Sequence, residues 1–72
     1  MAVYDLQVRF GRRCRVLRRR RKLSQMDMVR HHGWDLSHYQ RVERGALDPK
    51  LSTMARLAEA FDVTLETLMR GL

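Results

Sequence analysis

The sequence predicts an all-α fold, about five helices around one core, and three observations carry that prediction. Apolar residues recur every three or four positions along most of the chain. No segment alternates apolar and polar residues as a half-buried strand would. The breaks between periodic segments carry helix start and stop residues: Ser24, Gly33, Asp35, Asp48 with Pro49, Thr64 and Gly71. A chain of 72 residues makes a single domain, 1–72 with its core in 5–70. A domain of this size buries only about 60% of its unfolded surface, which leaves little material for a deep catalytic pocket.

The first helix is expected over residues 5–22. Leu6, Phe10, Cys14 and Leu17 fall at i, i+4, i+8 and i+11 and give it one inward face. Gly11 inside it costs roughly 1 kcal/mol against alanine, which predicts a looser start. Ser24 then serves as a cap, because its hydroxyl can accept from a free backbone N–H, and Asp27 three residues on is close to a capping box. The second helix, over 25–32, turns Met28 and Val29 inward. It stops at Gly33, where the exit needs a positive φ.

Asp35 caps the third helix, over 36–44. Tyr39 and Val42 form its apolar stripe, while Leu36, Ser37, Gln40 and Arg41 make a strip short of ordinary core residues. Gly45-Ala46-Leu47-Asp48 reads as a loop. Asp48 caps a fourth helix with Pro49 at its first position, where a missing N–H does no harm. Leu51, Met54, Leu57, Ala58 and Phe61 give that helix a clear period. Asp62-Val63 makes a tight link, and Thr64 caps a last short helix carrying Leu65, Leu68 and Met69, stopped by Gly71.

Fifteen Lys and Arg against eight Asp and Glu give a net charge of +7 and a pI near 11.1. That excess points to a polyanionic partner: DNA, RNA or an acidic membrane surface. Eight of the eleven residues from Arg12 to Lys22 are basic. Such a run is ordinarily a solvated helix face, and Arg12, Arg15 and Arg19 read that way. Arg21 and Lys22, nearest the second helix, are placed to reach phosphate.

Other function classes find no support. The first ten residues lack the basic start and apolar run of a signal peptide. No segment nears the ~20 apolar residues of a membrane span. The lone Cys14 forms no internal disulfide, so a cytoplasmic protein is expected. No nucleophile set, acid/base pair or phosphate loop is present, which argues against an enzyme. His31, His32 and His38 with Cys14 match no zinc spacing, so neither a metal nor a cofactor is expected. Cys14 reads as a small buried hydrophobe, Trp34 as a cover over the helix–helix corner, and Tyr39 as an inward ring whose hydroxyl needs a partner.

A short helix pair whose second member is polar and partly basic is the shape that fits a DNA major groove. Around it stand Leu17-Arg18, Leu23-Ser24-Gln25, Gly33, Tyr39, Val42, Glu43-Arg44-Gly45, Pro49 and the stretch 54–61, followed by Val63, Leu65 and Leu68. In this order and spacing, over residues 10–69, the chain resembles the phage repressor and Cro-like, or XRE-type, helix-turn-helix family. The resemblance implies a sequence-specific DNA-binding regulator, a repressor or a restriction–modification controller, acting as a homodimer on a palindromic operator.

By position, the resemblance implies that Leu36, Ser37, Gln40 and Arg41 face base edges, with His38 near the same edge. It implies a phosphate or base-edge contact from Gln25, backbone contacts from Arg44 and Lys50, and an Arg18–Glu43 pair tying the first helix to the third. Ser24-Gln25 is the favoured phosphate grip, because the charge of Asp35 opposes a phosphate at the other helix start. The expected dimer surface is Leu65, Met69 and Leu72, although the ordinary reading of Leu65 is core. Lys22, Val29, His32 and Leu36 depart from the family pattern, where a glycine, a small residue, an aliphatic residue and a polar reader are common. Two other readings stay open. One is an antitoxin-like module that binds a protein such as a toxin; the other is sequence-blind binding of RNA or anionic lipid through residues 12–22.

Overall fold

The computed structural model describes residues 3–72, which form α1 (Val3–Arg20), α2 (Gln25–His32), α3 (Leu36–Arg44), α4 (Leu51–Ala60) and α5 (Leu65–Met69). No strand occurs among the described residues. The core draws Phe10, Cys14 and Leu17 from α1, Met28 from α2, and Tyr39 and Val42 from α3. Leu57, Ala58 and Ala60 of α4, Phe61 at its end and Leu68 of α5 close it, with Trp34 filling the corner between α2 and α3. Trp34 meets Tyr39 edge-on at 5.7 Å between ring centroids, and the Arg56 guanidinium lies 4.4 Å from the centre of its ring. That geometry suits a cation over a π face.

The helix pair forms where the caps dictate. Ser24 Oγ accepts from the Asp27 N–H at 3.0 Å, and the Asp27 carboxylate accepts from the Ser24 N–H at 2.7 Å, a full capping box. Gly33 ends α2 at φ 69° with its N–H on the Met28 carbonyl. Asp35 caps α3 by accepting from the His38 N–H at 2.9 Å. At the end of α1, Lys22 takes φ 59°, donates to the Arg19 carbonyl at 2.9 Å, and is followed by the Leu23 N–H on the Arg18 carbonyl at 3.1 Å. This is the Schellman closure with a lysine where glycine is usual, at a steric cost of roughly 1–2 kcal/mol.

Four sequence expectations need correction. First, α1 is already helical at Val3, the first described residue, and is regular through Gly11 rather than loose before it. A Cβ on Gly11 would lie 2.5 Å from the carbonyl oxygens of both Val42 and Glu43, so the glycine is the point where α1 lies directly on the end of α3. Second, α1 closes at Arg20, two residues early, because the Schellman turn takes up residues 21–22. Third, α4 begins at Leu51 with Lys50 as its N-cap, not at Pro49 with Asp48. A proline without an N–H tolerates either register, and the first bond of the ladder runs from the Met54 N–H to the Lys50 carbonyl at 3.0 Å.

Fourth, three residues of the expected inward stripes face out: Leu6 is 39% exposed, Leu51 66% and Leu65 37%. Leu6 sits on the rim of an open groove shared with Phe10, Pro49, Met54, Met69 and Leu72. Leu51 opens α4, before the turn that packs.

The Gly11 contact inverts an ordinary rule. Gly→Ala in a helix interior normally stabilises by roughly 1 kcal/mol. G11A is expected instead to destabilise by about 1–3 kcal/mol in urea unfolding, from overpacking against the α3 carbonyls. A stabilised G11A would show that α1 and α3 do not touch there.

Candidate nucleic-acid interface

The Arg18 side chain, 8% exposed, meets a Glu43 side chain that is 6% exposed. Arg18 donates from Nε to Glu43 Oε2 at 2.6 Å, from Nη2 to Oε1 at 3.2 Å, and from Nη1 to the Leu23 carbonyl at 2.7 Å. The guanidinium thus ties α1, the start of the helix pair and α3 together. Burial works to raise the Glu43 pKa, but the Arg18 hydrogen bond, the nearby Tyr39 phenol and the Arg18 charge outweigh it and hold the group below its ordinary 4.5. The same bond raises the pKa of Arg18. Tyr39, fully buried, has its phenol raised by burial and then by the Glu43 carboxylate, so it stays neutral.

From this brace a chain of side chains runs outward. Gln25 Nε2 donates to Glu43 Oε1 at 3.3 Å, and Gln40 Nε2 donates to Gln25 Oε1 at 3.3 Å.

Tyr39 and Val42 fix which way α3 faces. At 3.6 residues per turn, Gln40, Arg44, Ser37 and Arg41 fall within an arc of about 100° centred opposite the buried stripe. All four are exposed. Leu36 is half-buried at one edge of the arc. His38 stands apart: it is half-buried with its ring 5.5 Å from Trp34, on the other flank of the helix.

The start of α2 offers less to an anion than its capping sequence implies. The N–H groups of Ser24 and Asp27 are both consumed by the capping box, which leaves those of Gln25 and Met26 without an acceptor among the described residues. Lys22, Arg44 and Lys50 are exposed, and Arg21 reaches Asp62 at 3.7 Å, also at the surface. Of the expected dimer residues, Met69 and Leu72 are half-buried and line the apolar groove, while Leu65 is exposed at the start of α5 and is not part of that lining.

The arginine-rich run divides, which the sequence did not reveal. Arg15 and Arg19 line a cleft with Gln25, Gln40 and Arg44, beside the outward face of α3. Arg13 turns the other way and donates to the Thr67 carbonyl at 2.8 Å, and Arg9 donates to the Gly71 carbonyl at 2.9 Å, clasping the C-terminal end. The signal for Arg15 and Arg19 is Gly11 and Arg18: these face α3, and helical spacing puts 15 and 19 on the adjoining flank. Cys14 is fully buried, and burial, then Glu43, push its thiol up to about 12. Among the described residues no group of three metal-ligating side chains gathers, and no helix is long and apolar enough to cross a membrane.

The helix-turn-helix domain profile matches residues 9–70. The fold superposes on the restriction-modification controller protein C.AhdI from Aeromonas hydrophila with a TM-score of 0.86 and 35% identity, covering 94% of this chain and 99% of that one. No curated protein sequence matches the chain.

E43Q strips the buried Arg18 of its counter-charge and is expected to cost about 3–5 kcal/mol at neutral pH. Because the folded pKa of Glu43 lies below the unfolded value, its contribution is complete above 4.5 and is lost as pH falls through the folded pKa. The stability gap between wild type and E43Q, measured by urea unfolding, should therefore narrow in acid. A gap that is constant with pH would contradict an ionised Glu43.

Proposed function

The chain belongs to the helix-turn-helix domain family, and from that premise we propose that it binds duplex DNA sequence-specifically as a transcriptional regulator, with α3 in the major groove. The observation that carries this reading is the single exposed arc of Ser37, Gln40, Arg41 and Arg44, opposite a buried Tyr39–Val42 stripe. A rod with one polar, basic side and one anchored side is what groove insertion requires.

Arg41 suits a bidentate contact to guanine, Gln40 one to adenine, and Ser37 either donates or accepts. Leu36, half-buried, packs against a thymine methyl from the edge of the arc. His38, held against Trp34, is left with at most a backbone contact. Gln25 and the remaining N–H groups at the start of α2 take a phosphate on one side. Ser24 holds that start in shape and offers its hydroxyl hydrogen. Lys22, Arg44 and Lys50 supply further phosphate contacts, as does Arg21 when it leaves Asp62. Arg15 and Arg19 extend the same cleft. Each neutralised phosphate releases counterions, so affinity falls steeply with salt.

One module of this size gains affinity by pairing. The apolar groove of Leu6, Met54, Met69 and Leu72, with the exposed Leu65 one turn before Met69 on α5, is the surface that closes on a second copy. Two copies would read half-sites about 34–36 Å apart on one face of a palindromic operator. The likeness to a restriction-modification controller favours control of such a system as the setting, inside the cell where the operator lies. A protein partner such as a toxin would compete for the same groove.

Selection from a random duplex library at fixed salt should return a palindromic consensus, and a flat profile would overturn the reading. On that consensus, R41A is expected to relax preference at one base pair per half-site by roughly 1–3 kcal/mol. K50A should instead weaken all duplexes alike and lower the salt slope by about 1. Sedimentation should show a dimer that L65E/L72D splits; a monomeric wild type at duplex-binding concentration would rule out the groove as a dimer face.

A further inference from the structure

Arginines that neutralise a duplex follow the row of its phosphates. Those on the outer flank of α1 are arranged differently. Arg9, Arg12, Arg13 and Arg70 line a hollow of about 320 Å³ between α1 and the C-terminal end, together with the half-buried Leu72 and with Val16, which is 43% exposed. Arg9 and Arg13 lie about 120° around α1 from Arg15 and Arg19 at 3.6 residues per turn, so the hollow and the cleft beside α3 open on different flanks of one helix. Two of its guanidiniums are pinned, Arg13 on the Thr67 carbonyl at 2.8 Å and Arg9 on the Gly71 carbonyl at 2.9 Å. A guanidinium is a rigid fork of N–H donors, so pinning one of them orients the rest. Arg12 and Arg70 are exposed, and Arg12, Arg13 and Arg70 meet no carboxylate among the described residues.

We infer that this hollow docks an acidic segment of a partner protein, one in which an apolar side chain is flanked by Asp or Glu, and that it does so while α3 is on DNA. The second half of the inference rests on the reading of α3 as the groove helix. The lining carries four arginines and no acidic residue, which sets the sign of the partner. Carboxylates match the planar fork of an arginine with two parallel hydrogen bonds. Val16 and Leu72 call for an apolar side chain between those carboxylates, and a phosphate backbone offers none. A duplex is too broad to enter the hollow, and a flat lipid surface would meet only its exposed edge. Leu72 also lines the groove assigned to pairing, so the two sites adjoin along one wall.

The test selects peptides from a random library against the full chain at about 0.15 M salt, with and without the consensus duplex. Both arms should enrich an apolar residue flanked by acids. A selected peptide, fluorescently labelled, is then titrated and read by anisotropy. R12A/R70A is expected to weaken it about tenfold or more. R15A/R19A removes the same charge from the DNA side and should leave its affinity within about twofold. Serine in place of the peptide's apolar residue should cost about fivefold or more. Thermal melting checks that each variant folds, and sedimentation that R12A/R70A pairs as the wild type does. Selection that favours no acidic pattern, or favours it only without duplex, overturns the inference. An equal loss in the two double variants overturns it as well, because it marks general attraction of opposite charges. If no peptide binds, and R12A/R70A instead loses binding to single-stranded RNA or to vesicles of anionic lipid, the hollow serves another polyanion and the inference fails. The arm without duplex does not depend on α3: a chain that takes the peptide but shows no duplex preference contradicts the DNA reading alone.

Discussion

The bond between Arg18 and Glu43 is the constraint on which the rest of the domain depends. It joins the last turns of α1 to the last turn of α3 across an otherwise apolar core. Burying two charges is expensive, and their attraction offsets that cost only when the geometry is good and the remaining hydrogen-bonding capacity is used. Both conditions hold. The guanidinium grips the carboxylate with two nitrogens and spends a third on the Leu23 carbonyl, while the carboxylate accepts from Gln25 as well. An apolar pair would fill the same space but would hold neither the loop before α2 nor the amide of Gln25. The ion pair therefore fixes direction: it sets α3 against α1 at one rotation, and that rotation turns Ser37, Gln40 and Arg41 outward.

The same brace explains how a chain with a charge of +7 carries so many arginines on one helix. Like charges one turn apart repel, and the structure relieves part of that strain by giving them different partners. Arg18 is neutralised inside. Arg9 and Arg13 end on backbone carbonyls near the C-terminus, and Arg21, just past the helix, reaches Asp62. Arg15 and Arg19 are left along the cleft beside α3. Arg15, Arg19 and Arg44 thus share one cleft beside α3, where a phosphate backbone would complete the neutralisation.

Where the sequence was legible, the rule was local. Ser24 with Asp27, Gly33 and Asp35 mark the helix pair within a residue, because capping and positive φ depend on neighbours along the chain. Tyr39 and Val42 give the rotation of α3 for the same reason. What the sequence concealed depends on contacts between distant segments. Gly11 looks like a flaw in a helix until the α3 carbonyls are seen 2.5 Å from its absent Cβ. Periodicity places Leu6, Leu51 and Leu65 on apolar stripes but cannot say where a stripe runs out from under its neighbours. Pro49 is compatible with two starts of α4, and only the ladder chooses. The Gln25–Gln40 contact joins residues fifteen apart that no spacing rule links, and the division of the arginine run follows from the phase that Gly11 and Arg18 impose.

On this reading the braced outer face of α3 is the surface that meets the groove. Titration of the nitrogen-15-labelled protein with its selected duplex tests this directly, read at the side-chain amides of Gln25 and Gln40, the Nε–H of Arg41 and Arg18, and the backbone of α3. Large shifts are expected at Gln40, Arg41 and Ser37, smaller ones at Arg15 and Arg19, and an Arg18 signal that stays protected and in place. Shifts concentrated on Arg12, Arg20 and the far side of α1, with α3 unmoved, would contradict it.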